Sequence, residues 1–368
     1  MDRHGKQFSL VFVPTWACNC NCTHCFENIV PRTIDDDAWE TYFSKVKEMT
    51  SLEGIAKLLI HWQGGEVMTM GPVKVRRGID IIDKIFHNND VTVEHHLQTN
   101  LLLYNSEWKD IIKDYFRGRI SSSVDYPNLY RSTLDIPPAD YNQAWLEKKE
   151  RAEGDGIFVS AITLPNTETL RIGAERFHSF FKDEAGVRNV QINFPFPGAR
   201  DSFPLPLDLE GLSSFLKDVY DIWSSSGRYL NLNPFVPLER RILKGEGSLS
   251  CVWSYSCGKS LMSLGPDGEV GQCDCWISKH KSYIFGNIID NAMKDIICSD
   301  KREIFLNRPV YMIDDPECAG CDFWQICHGG CPVRAYTFNS DIYARDHYCK
   351  VYKGIFSLIL ERNRFPGN

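Results

Sequence analysis

Residues 18–25, which come shortly after the first apolar run of the chain, read Cys18-Asn19-Cys20-Asn21-Cys22-Thr23-His24-Cys25. Read from Cys18 as Cys-x3-Cys-x2-Cys, this stretch supplies three thiolates from one short loop, and thiolates at such spacings bind iron–sulfur clusters. Three protein ligands would leave one iron of a [4Fe–4S] cluster open to an outside ligand. Two alternatives stay open: a zinc site, which also accepts closely spaced cysteines, and a shifted pattern that begins at Cys20.

The fourteen cysteines of the chain are unevenly distributed. Four lie within residues 18–25, the other ten lie between residues 251 and 349, and the segment between the two groups has none. Structural disulfides are rare in the reducing cytoplasm, and cysteines that only fill a core would be spread more evenly. The grouping therefore predicts metal or cluster ligands.

Charge and hydropathy exclude several classes of protein. The net charge is -7, and the basic residues are scattered along the chain rather than clustered into the basic stripe of a nucleic-acid binder. The amino terminus lacks the apolar core of a signal peptide, and no apolar run reaches membrane-spanning length. We expect a cytoplasmic protein with neither a nucleic acid nor a membrane as partner.

The first two-thirds of the chain alternate between strand-like and helical patterns. The strand-like segments are Phe8–Val13, Lys57–Trp62, Val91–Leu97, Arg119–Val124, Ile157–Thr163 and Asn189–Phe194. Amphipathic stretches separate them, and six successive βα units predict a parallel sheet, either doubly wound or curved into a partial barrel. In both folds, ligands bind at the carboxyl ends of the strands.

The periodic pattern breaks around residues 235–250, after one more amphipathic helix that includes Leu212 and Trp223. The rest of the chain is rich in cysteine and glycine and lacks regular periodicity. That composition predicts a small second domain held by metal clusters more than by an apolar core. We place a core domain at residues 1–235, a cysteine-rich domain at 236–349 and a helical tail at 350–368.

The second predicted strand ends in Trp62-Gln63-Gly64-Gly65-Glu66. Glycines at this position let the backbone approach a ligand closely, and the carboxylate can hold an ammonium group. Together with the cysteine loop, this segment resembles the radical S-adenosylmethionine (SAM) superfamily, which carries the same pair of motifs in the same order. The resemblance implies a partial (β/α)6 TIM-type barrel and a [4Fe–4S] cluster on Cys18, Cys22 and Cys25 whose open iron binds SAM.

The same resemblance implies a set of SAM contacts. Gly64, Gly65 and Glu66 would hold the methionine amine, and His24 stands where the family has an aromatic residue near the adenine. Further positions that resemble contacts to the ribose, the methionine carboxylate and the adenine are Ser123, Arg131 and Val190. Plain strand packing is the alternative for Ser123 and Val190, and a solvated loop position or a substrate contact is the alternative for Arg131.

The second group of cysteines is similar to the SPASM domain, which extends a subset of radical SAM enzymes with two auxiliary [4Fe–4S] clusters. The matching pattern is Cys251-x5-Cys257, Gly268-x4-Cys273, Cys318-x2-Cys321-x5-Cys327-x3-Cys331 and Cys349. The resemblance implies one cluster on Cys251, Cys257, Cys273 and Cys331 and another on Cys318, Cys321, Cys327 and Cys349. Cys20, Cys275 and Cys298 remain unassigned, Cys275 is close enough to Cys273 to compete with it, and two zinc sites are the alternative for the group.

Asp274 directly follows the predicted ligand Cys273. The corresponding position is acidic in sulfatase-maturing enzymes and in several peptide-modifying relatives, which implies a general base. An aspartate that accepts hydrogen bonds in a turn is the alternative.

The resemblance implies an oxidative modification of a peptide or protein substrate, with an external one-electron donor such as flavodoxin or ferredoxin. Val67, Leu101 and Tyr126 depart from the family pattern near the active site. These departures favour the cross-linking or oxidation of a ribosomally made peptide over formylglycine formation in a sulfatase. A small-molecule radical SAM dehydrogenase is the alternative of a different class.

Overall fold

The computed structural model describes residues 6–87, 90–195, 208–255 and 257–363. Within these ranges, ten strands form one sheet. The strands are β1 Lys6–Phe12, β2 Ile55–Trp62, β3 Thr92–Thr99, β4 Arg119–Ser123, β5 Phe158–Thr163, β6 Asn189–Ile192, β7 Asn231–Asn233, β8 Leu261–Leu264, β9 Glu269–Gly271 and β10 Gly286–Asn287. Their order is β10-β9-β8-β1-β2-β3-β4-β5-β6-β7, parallel from β8 to β7, with β9 and β10 antiparallel at one edge.

The described residues also form fourteen α-helices. They are α1 Ala38–Glu53, α2 Pro72–Phe86, α3 Lys109–Tyr115, α4 Pro138–Gly154, α5 Thr167–Ser179, α6 Leu209–Ser225, α7 Phe235–Lys244, α8 Asp274–Lys279, α9 Met293–Ile297, α10 Asp300–Met312, α11 Pro316–Ala319, α12 Trp324–Cys327, α13 Pro332–Asn339 and α14 Cys349–Asn363. None of these helices has the length and apolar composition needed to cross a membrane.

All six predicted strands are present, and their order along the sheet confirms the partial barrel. The sequence pattern missed β7 and α7, which occupy part of the region where periodicity was expected to break. Each is short, and Pro234 and Pro237 interrupt the segment, so neither a two-residue nor a helical period is apparent there. Phe235 and Leu238 nevertheless give α7 a buried face.

One side of the sheet packs against helices through large aromatic side chains. Phe12 of β1 lies edge-on to Trp39 of α1 and to Trp62 of β2, with ring centroids 5.4 and 5.1 Å apart. On β4, the Ser122 hydroxyl accepts a hydrogen bond of 2.8 Å from the Trp145 indole of α4. Because successive side chains in a strand point to opposite faces, these contacts identify the helix-facing row of each strand.

The opposite, inner side of the sheet carries more polar side chains. His61 of β2 and His96 of β3 occupy paired positions, and their rings stack with centroids 5.0 Å apart. Ser123, Ile162 and Gln191 follow in register across β4, β5 and β6. The barrel therefore presents a partly polar interior beneath the carboxyl ends of its strands.

The cysteine-rich region continues the same sheet. Strand β8 pairs in parallel with β1, and β9 and β10 extend the sheet beyond it. At the other end of the order, α14 packs against α6 and α7. The described parts of the predicted segments 236–349 and 350–368 are thus packed against the barrel on both sides.

Candidate functional site

The first cysteine group forms a loop beyond the carboxyl end of β1. Its backbone pairs with the segment that follows β4: the Asn21 N–H donates to the Ser132 carbonyl at 2.7 Å, and the Thr23 N–H donates to the Tyr130 carbonyl at 3.0 Å. Cys20 and Thr133 form an isolated antiparallel bridge in the same place. These bonds hold the loop over the end of the barrel, where ligands of parallel sheets bind.

The four thiols of this loop interact with one another. Cys20 is buried, and its thiol is hydrogen-bonded to Cys18 and Cys22, which raises the pKa of Cys20 together with burial. The hydrogen bond from Cys20 lowers the pKa of Cys22 to about 6, and the Arg131 guanidinium adds to this effect against the opposing effect of burial. Because the thiolate is the form that binds metal, Cys22 is prepared as a ligand.

Gly64 and Gly65 allow the end of β2 to lie directly against the cysteine loop. The Gly65 N–H donates to the Thr15 carbonyl at 3.0 Å, and the Glu66 N–H donates to the Ala17 carbonyl at 2.7 Å. A Cβ atom on Gly65 would lie 2.2 Å from the Ala17 carbonyl oxygen, and Gly64 has a φ of +121°. The glycines therefore have a packing role as well as the ligand approach that the sequence suggested.

Glu66 is 2% exposed, and its carboxylate is fixed by three hydrogen bonds. It accepts from the Met68 N–H at 3.0 Å, the Thr99 hydroxyl at 2.7 Å and the Asn100 N–H at 2.6 Å. The Asn100 side chain also donates to the Asn19 side chain at 2.7 Å, which links the third strand to the cysteine loop. Burial raises the pKa of Glu66, and the three hydrogen bonds oppose that shift.

Arg131 and His24 meet at the carboxylate of Asp125. Arg131 is buried, and its guanidinium contacts the two oxygens of Asp125 at 2.7 and 3.3 Å. His24 Nε2 lies 3.6 Å from Asp125 Oδ2. Burial lowers the pKa of His24 to about 4, with Arg131 adding to the shift, so the imidazole is neutral near pH 7. Arg131 is therefore not a solvated loop residue.

Ser123 and Val190 lie on opposite faces of the sheet. Val190 is in register with Ala161, which pairs with Ser122, so Val190 belongs to the helix-facing row and is 1% exposed. Gln191, its neighbour on β6, occupies the inner row with Ser123. The structure thus brings Ser123 to the inner side of the barrel and leaves Val190 in the packed layer behind it.

The structure brings together the four cysteines predicted for the first auxiliary cluster. Burial and the nearby thiols of Cys331 and Cys273 raise the pKa of Cys251 to about 12. Burial raises the pKa of Cys257 well above its ordinary value, and Cys251, Cys331 and Cys273 contribute to the same shift. Four thiols this close in a buried place would repel one another as thiolates, which is the charge environment that a cationic cluster relieves.

The other four predicted ligands line one small cavity together with Arg345 and Lys353; they are Cys318, Cys321, Cys327 and Cys349. Burial raises the pKa of Cys327 to about 12 and that of Cys318 to about 11, with the Asp315 carboxylate contributing at Cys318. Both predicted auxiliary sets are therefore assembled from distant segments, as the interleaved spacing requires.

Asp274 connects the second cysteine group to the end of β2. It is 8% exposed, its carboxylate accepts a hydrogen bond from the Gln63 side chain, and it also accepts from the Cys275 N–H at 3.0 Å. Burial raises the pKa of Asp274, and these hydrogen bonds oppose the shift. Cys273, Asp274 and Cys275 offer side-chain ligand atoms that all lie within 4.8 Å of one another.

Comparison with known proteins matches both halves of this site. The family model of the SPASM iron–sulfur cluster-binding domain matches residues 251–322. The cysteine-type anaerobic sulfatase-maturating enzyme of Clostridium perfringens (strain 13 / Type A) is 25% identical over 375 residues, which cover 96% of each chain. The chain belongs to the SPASM subfamily of radical SAM enzymes. A second radical SAM relative, the serine-type anaerobic sulfatase-maturating enzyme of Klebsiella aerogenes, is 22% identical over 94% of this chain and 83% of its own.

Solved structures show the same radical SAM fold. The structure of native anSMEcpe with bound AdoMet and Cp18Cys peptide has a TM-score of 0.81 and 21% identity, covering 97% of this chain and 98% of its own. Streptococcus suis SuiB bound to its precursor peptide SuiA has a TM-score of 0.64 and 15% identity, covering 94% and 76%. The predictions of the subfamily, the barrel with a SPASM domain and an enzyme are confirmed, and iron–sulfur clusters with SAM are its cofactors.

The sequence did not identify two residues of this radical SAM site. Gln63 precedes the glycines of the second motif, and its contact with Asp274 joins positions 211 residues apart. Glu27 lies two residues after Cys25 and is 3% exposed, and its carboxylate faces Asp274 and Cys18. A carboxylate so close to a cluster motif was the available signal for Glu27, whereas nothing in the local pattern pairs Gln63 with Asp274.

Proposed function

We propose that this radical SAM enzyme oxidatively modifies a side chain of a peptide substrate. The observation that carries the proposal is the hydrogen bond between Gln63 and Asp274. It joins the end of β2, which lies against the cysteine loop, to the residue that follows the predicted cluster ligand Cys273. A substrate at this place would contact the site of hydrogen abstraction and an acid–base residue at once. The anSMEcpe and SuiB structures both hold peptides.

The donor chemistry of the chain fits three [4Fe–4S] clusters. Three thiols on one loop suit a cluster with an open iron, and two sets of four thiols suit clusters whose irons are all held by protein. We assign the first cluster to Cys18, Cys22 and Cys25, the second to Cys251, Cys257, Cys273 and Cys331, and the third to Cys318, Cys321, Cys327 and Cys349. The pKa of Cys22, lowered to about 6 by Cys20, supports Cys22 over Cys20 as the ligand.

Glu66, Arg131, His24 and Ser123 are the residues we assign to SAM. An ionised carboxylate has about four acceptor positions, and Glu66 uses three of them within the chain, so one remains for the methionine amine. Gly64 and Gly65 set the position of that carboxylate. Arg131 is oriented by Asp125, and Ser123 lies on the inner row at the end of β4.

When bound, SAM and the reduced cluster would supply a 5′-deoxyadenosyl radical that removes a hydrogen atom from the substrate, and the auxiliary clusters would accept the electron that follows. Asp274 would take up the proton that leaves the substrate, since a carboxyl group in a buried position is suited to proton transfer. Its hydrogen bond with Gln63 orients the carboxylate toward the barrel. The external electron donor would be a flavodoxin or ferredoxin, in a cytoplasm that keeps the unused thiols reduced.

Two substrate classes have support. A ribosomally made peptide is favoured by the residues that depart from the family pattern: Leu101 is buried with a φ of +72°, and Tyr126 stacks on Phe180 with ring centroids 3.9 Å apart. Formylglycine formation in a sulfatase is the second candidate, and the end-to-end similarity to sulfatase-maturating enzymes favours it.

The test is to incubate the anaerobically reconstituted enzyme with SAM, a reductant and candidate peptides. The candidates are a sulfatase-derived peptide that contains cysteine or serine and the short open reading frames encoded beside the gene. Peptide-dependent 5′-deoxyadenosine, together with a peptide that has lost two hydrogens, is the expected result. Cleavage of SAM that no peptide stimulates, with small-molecule alcohols oxidised instead, would contradict the peptide proposal.

A further inference from the structure

Glu27 differs from the other buried carboxylates of the site. It is 3% exposed, and neither of its oxygens has a hydrogen-bond partner among the described residues. Its segment is fixed to α8, because the Asn28 N–H donates to the Ser278 hydroxyl oxygen at 2.7 Å. That hydroxyl lies close enough to influence Glu27 electrostatically but does not meet hydrogen-bond geometry with it.

The Glu27 carboxylate lies between the cysteine loop and Asp274. Burial raises the pKa of Glu27, and the carboxylate of Asp274 contributes to the same shift, as does Cys18. In turn, burial raises the pKa of Cys25 to about 12, with the Glu27 carboxylate next in importance. Glu27 is therefore near both predicted parts of the reaction centre.

The neighbouring carboxylates already have donors. Glu66 accepts three hydrogen bonds, Asp125 is paired with Arg131, and Asp274 is bonded to Gln63. A buried carboxylate without a donor is strongly unfavourable, and a second acidic group beside it makes the place more favourable for a cation. The missing complement of Glu27 is thus a positively charged hydrogen-bond donor of about side-chain size.

We propose that Glu27 is a specificity-determining residue that binds a basic side chain, lysine or arginine, of the peptide substrate beside Asp274. The inference rests on the proposed function, because it requires a peptide in the barrel. A lysine ammonium or an arginine guanidinium supplies charge-assisted hydrogen bonds to the Glu27 oxygens. A cysteine or serine alone, the residue type of sulfatase substrates, would leave this carboxylate without a partner.

The experiment uses the reconstituted holoenzyme with SAM and libraries of short peptides that have randomised flanks and one fixed central residue. The fixed residues are lysine, arginine, norleucine, citrulline, cysteine and serine, and retained peptides are quantified by mass spectrometry. Glu27→Gln removes the charge at nearly constant size. Glu40→Gln, an exposed carboxylate in the first turn of α1, is the matched control.

Wild type and Glu40→Gln should retain lysine or arginine peptides over norleucine and citrulline peptides. Glu27→Gln should reduce that preference by about ten- to hundredfold, the range of one or two charge-assisted hydrogen bonds. Iron content and SAM affinity should match wild type in both variants, which separates a lost contact from failed assembly.

The other outcomes overturn the proposal in distinguishable ways. If wild type retains peptides without any preference for a basic residue, the proposal for Glu27 fails and the peptide substrate stands, and this result does not depend on any variant. If the preference survives in Glu27→Gln, or if only SAM affinity falls, Glu27 binds another group. If wild type retains no peptide at all, the proposed function fails and the inference fails with it.

Discussion

Asp274 is the residue at which the two halves of the molecule meet most directly. Its backbone follows a predicted ligand of an auxiliary cluster, and its side chain is bonded to Gln63 at the end of β2. Burial raises its pKa, and the Cys275 N–H and Gln63 oppose that shift. A carboxyl group with this mixture of burial and hydrogen bonding can both hold and release a proton.

Replacing Asp274 with asparagine should therefore separate the formation of the radical from its use. We expect the yield of oxidised peptide to fall by about 10²- to 10⁴-fold, the usual contribution of a positioned base. Formation of 5′-deoxyadenosine should continue, because Asp274→Asn preserves size and leaves the three-cysteine loop intact. Both products can be measured by liquid chromatography and mass spectrometry in one reaction, and an unchanged peptide yield would show that another group takes the proton.

Asp125 is the second residue with a specific prediction. It is 1% exposed and holds Arg131, which is 8% exposed. Removing one member of a buried ion pair costs about 3–5 kcal/mol, because the other charge is left unpaired. Asp125→Asn should therefore lower the midpoint of thermal unfolding and weaken SAM binding.

The control for this change is Asp221→Asn, whose carboxylate pairs with Arg362 at the surface. Exposed ion pairs contribute about 0–1 kcal/mol, so the control should unfold close to wild type. Equal shifts in the two variants would show that the Asp125–Arg131 pair adds no stability beyond that of an exposed pair.

At the level of elements, the join between β2 and the cysteine loop depends on Gly65. A methyl group there would meet the Ala17 carbonyl oxygen at 2.2 Å, and that atom belongs to backbone that cannot turn aside. Gly65→Ala should therefore displace the loop and release the cluster that it holds, with iron falling from roughly twelve to roughly eight per chain.

Gly154→Ala is a suitable control for Gly65→Ala, because Gly154 ends α4 and a Cβ atom there would meet nothing within 4 Å. It should keep the full iron content and leave stability unchanged or raised by about 0.5–1 kcal/mol, since alanine is the better helix former. Iron is measured after anaerobic reconstitution and desalting. Full iron retention in Gly65→Ala would mean that the loop tolerates the added methyl group.

The strands illustrate what the sequence can and cannot predict. All six predicted strands are present because buried parallel strands are continuous apolar runs with little ambiguity. Which face each residue occupies depends on register, so Val190 was expected near the adenine although Gln191 occupies the inner row. The pairing of Gln63 with Asp274 depends on tertiary structure alone, since no local period connects them.

At the scale of the whole molecule, the cluster ligands are distributed so that the two regions are coupled. One predicted auxiliary set draws its cysteines from four separate segments between residues 251 and 331, and the other ends at the start of α14, which packs against the barrel. Spacing and family resemblance predicted these sets. The continuation of the sheet from β1 into β8 was not predictable, because β8 to β10 have two to four residues each.

Metal content tests this organisation directly. Wild type should bind roughly twelve irons and as many acid-labile sulfides, and the triple variant Cys18/Cys22/Cys25→Ala should bind roughly eight. The triple variant should also lose all SAM cleavage while it keeps its fold, as measured by circular dichroism. Stoichiometric zinc in wild type would refute the radical mechanism, and roughly eight irons in wild type would mean that one auxiliary assignment is wrong.

The position of β1 has a consequence for how the chain can be made. Its neighbours in the sheet are β2, which follows within some fifty residues, and β8, which is synthesised only after residue 260. Until then the nascent barrel carries an open edge at its first strand, and unpaired edges recruit other chains. Translation must therefore pass two-thirds of the message before the cysteine loop has a fully paired strand beneath it, and a fragment that stops at residue 250 would be prone to aggregation.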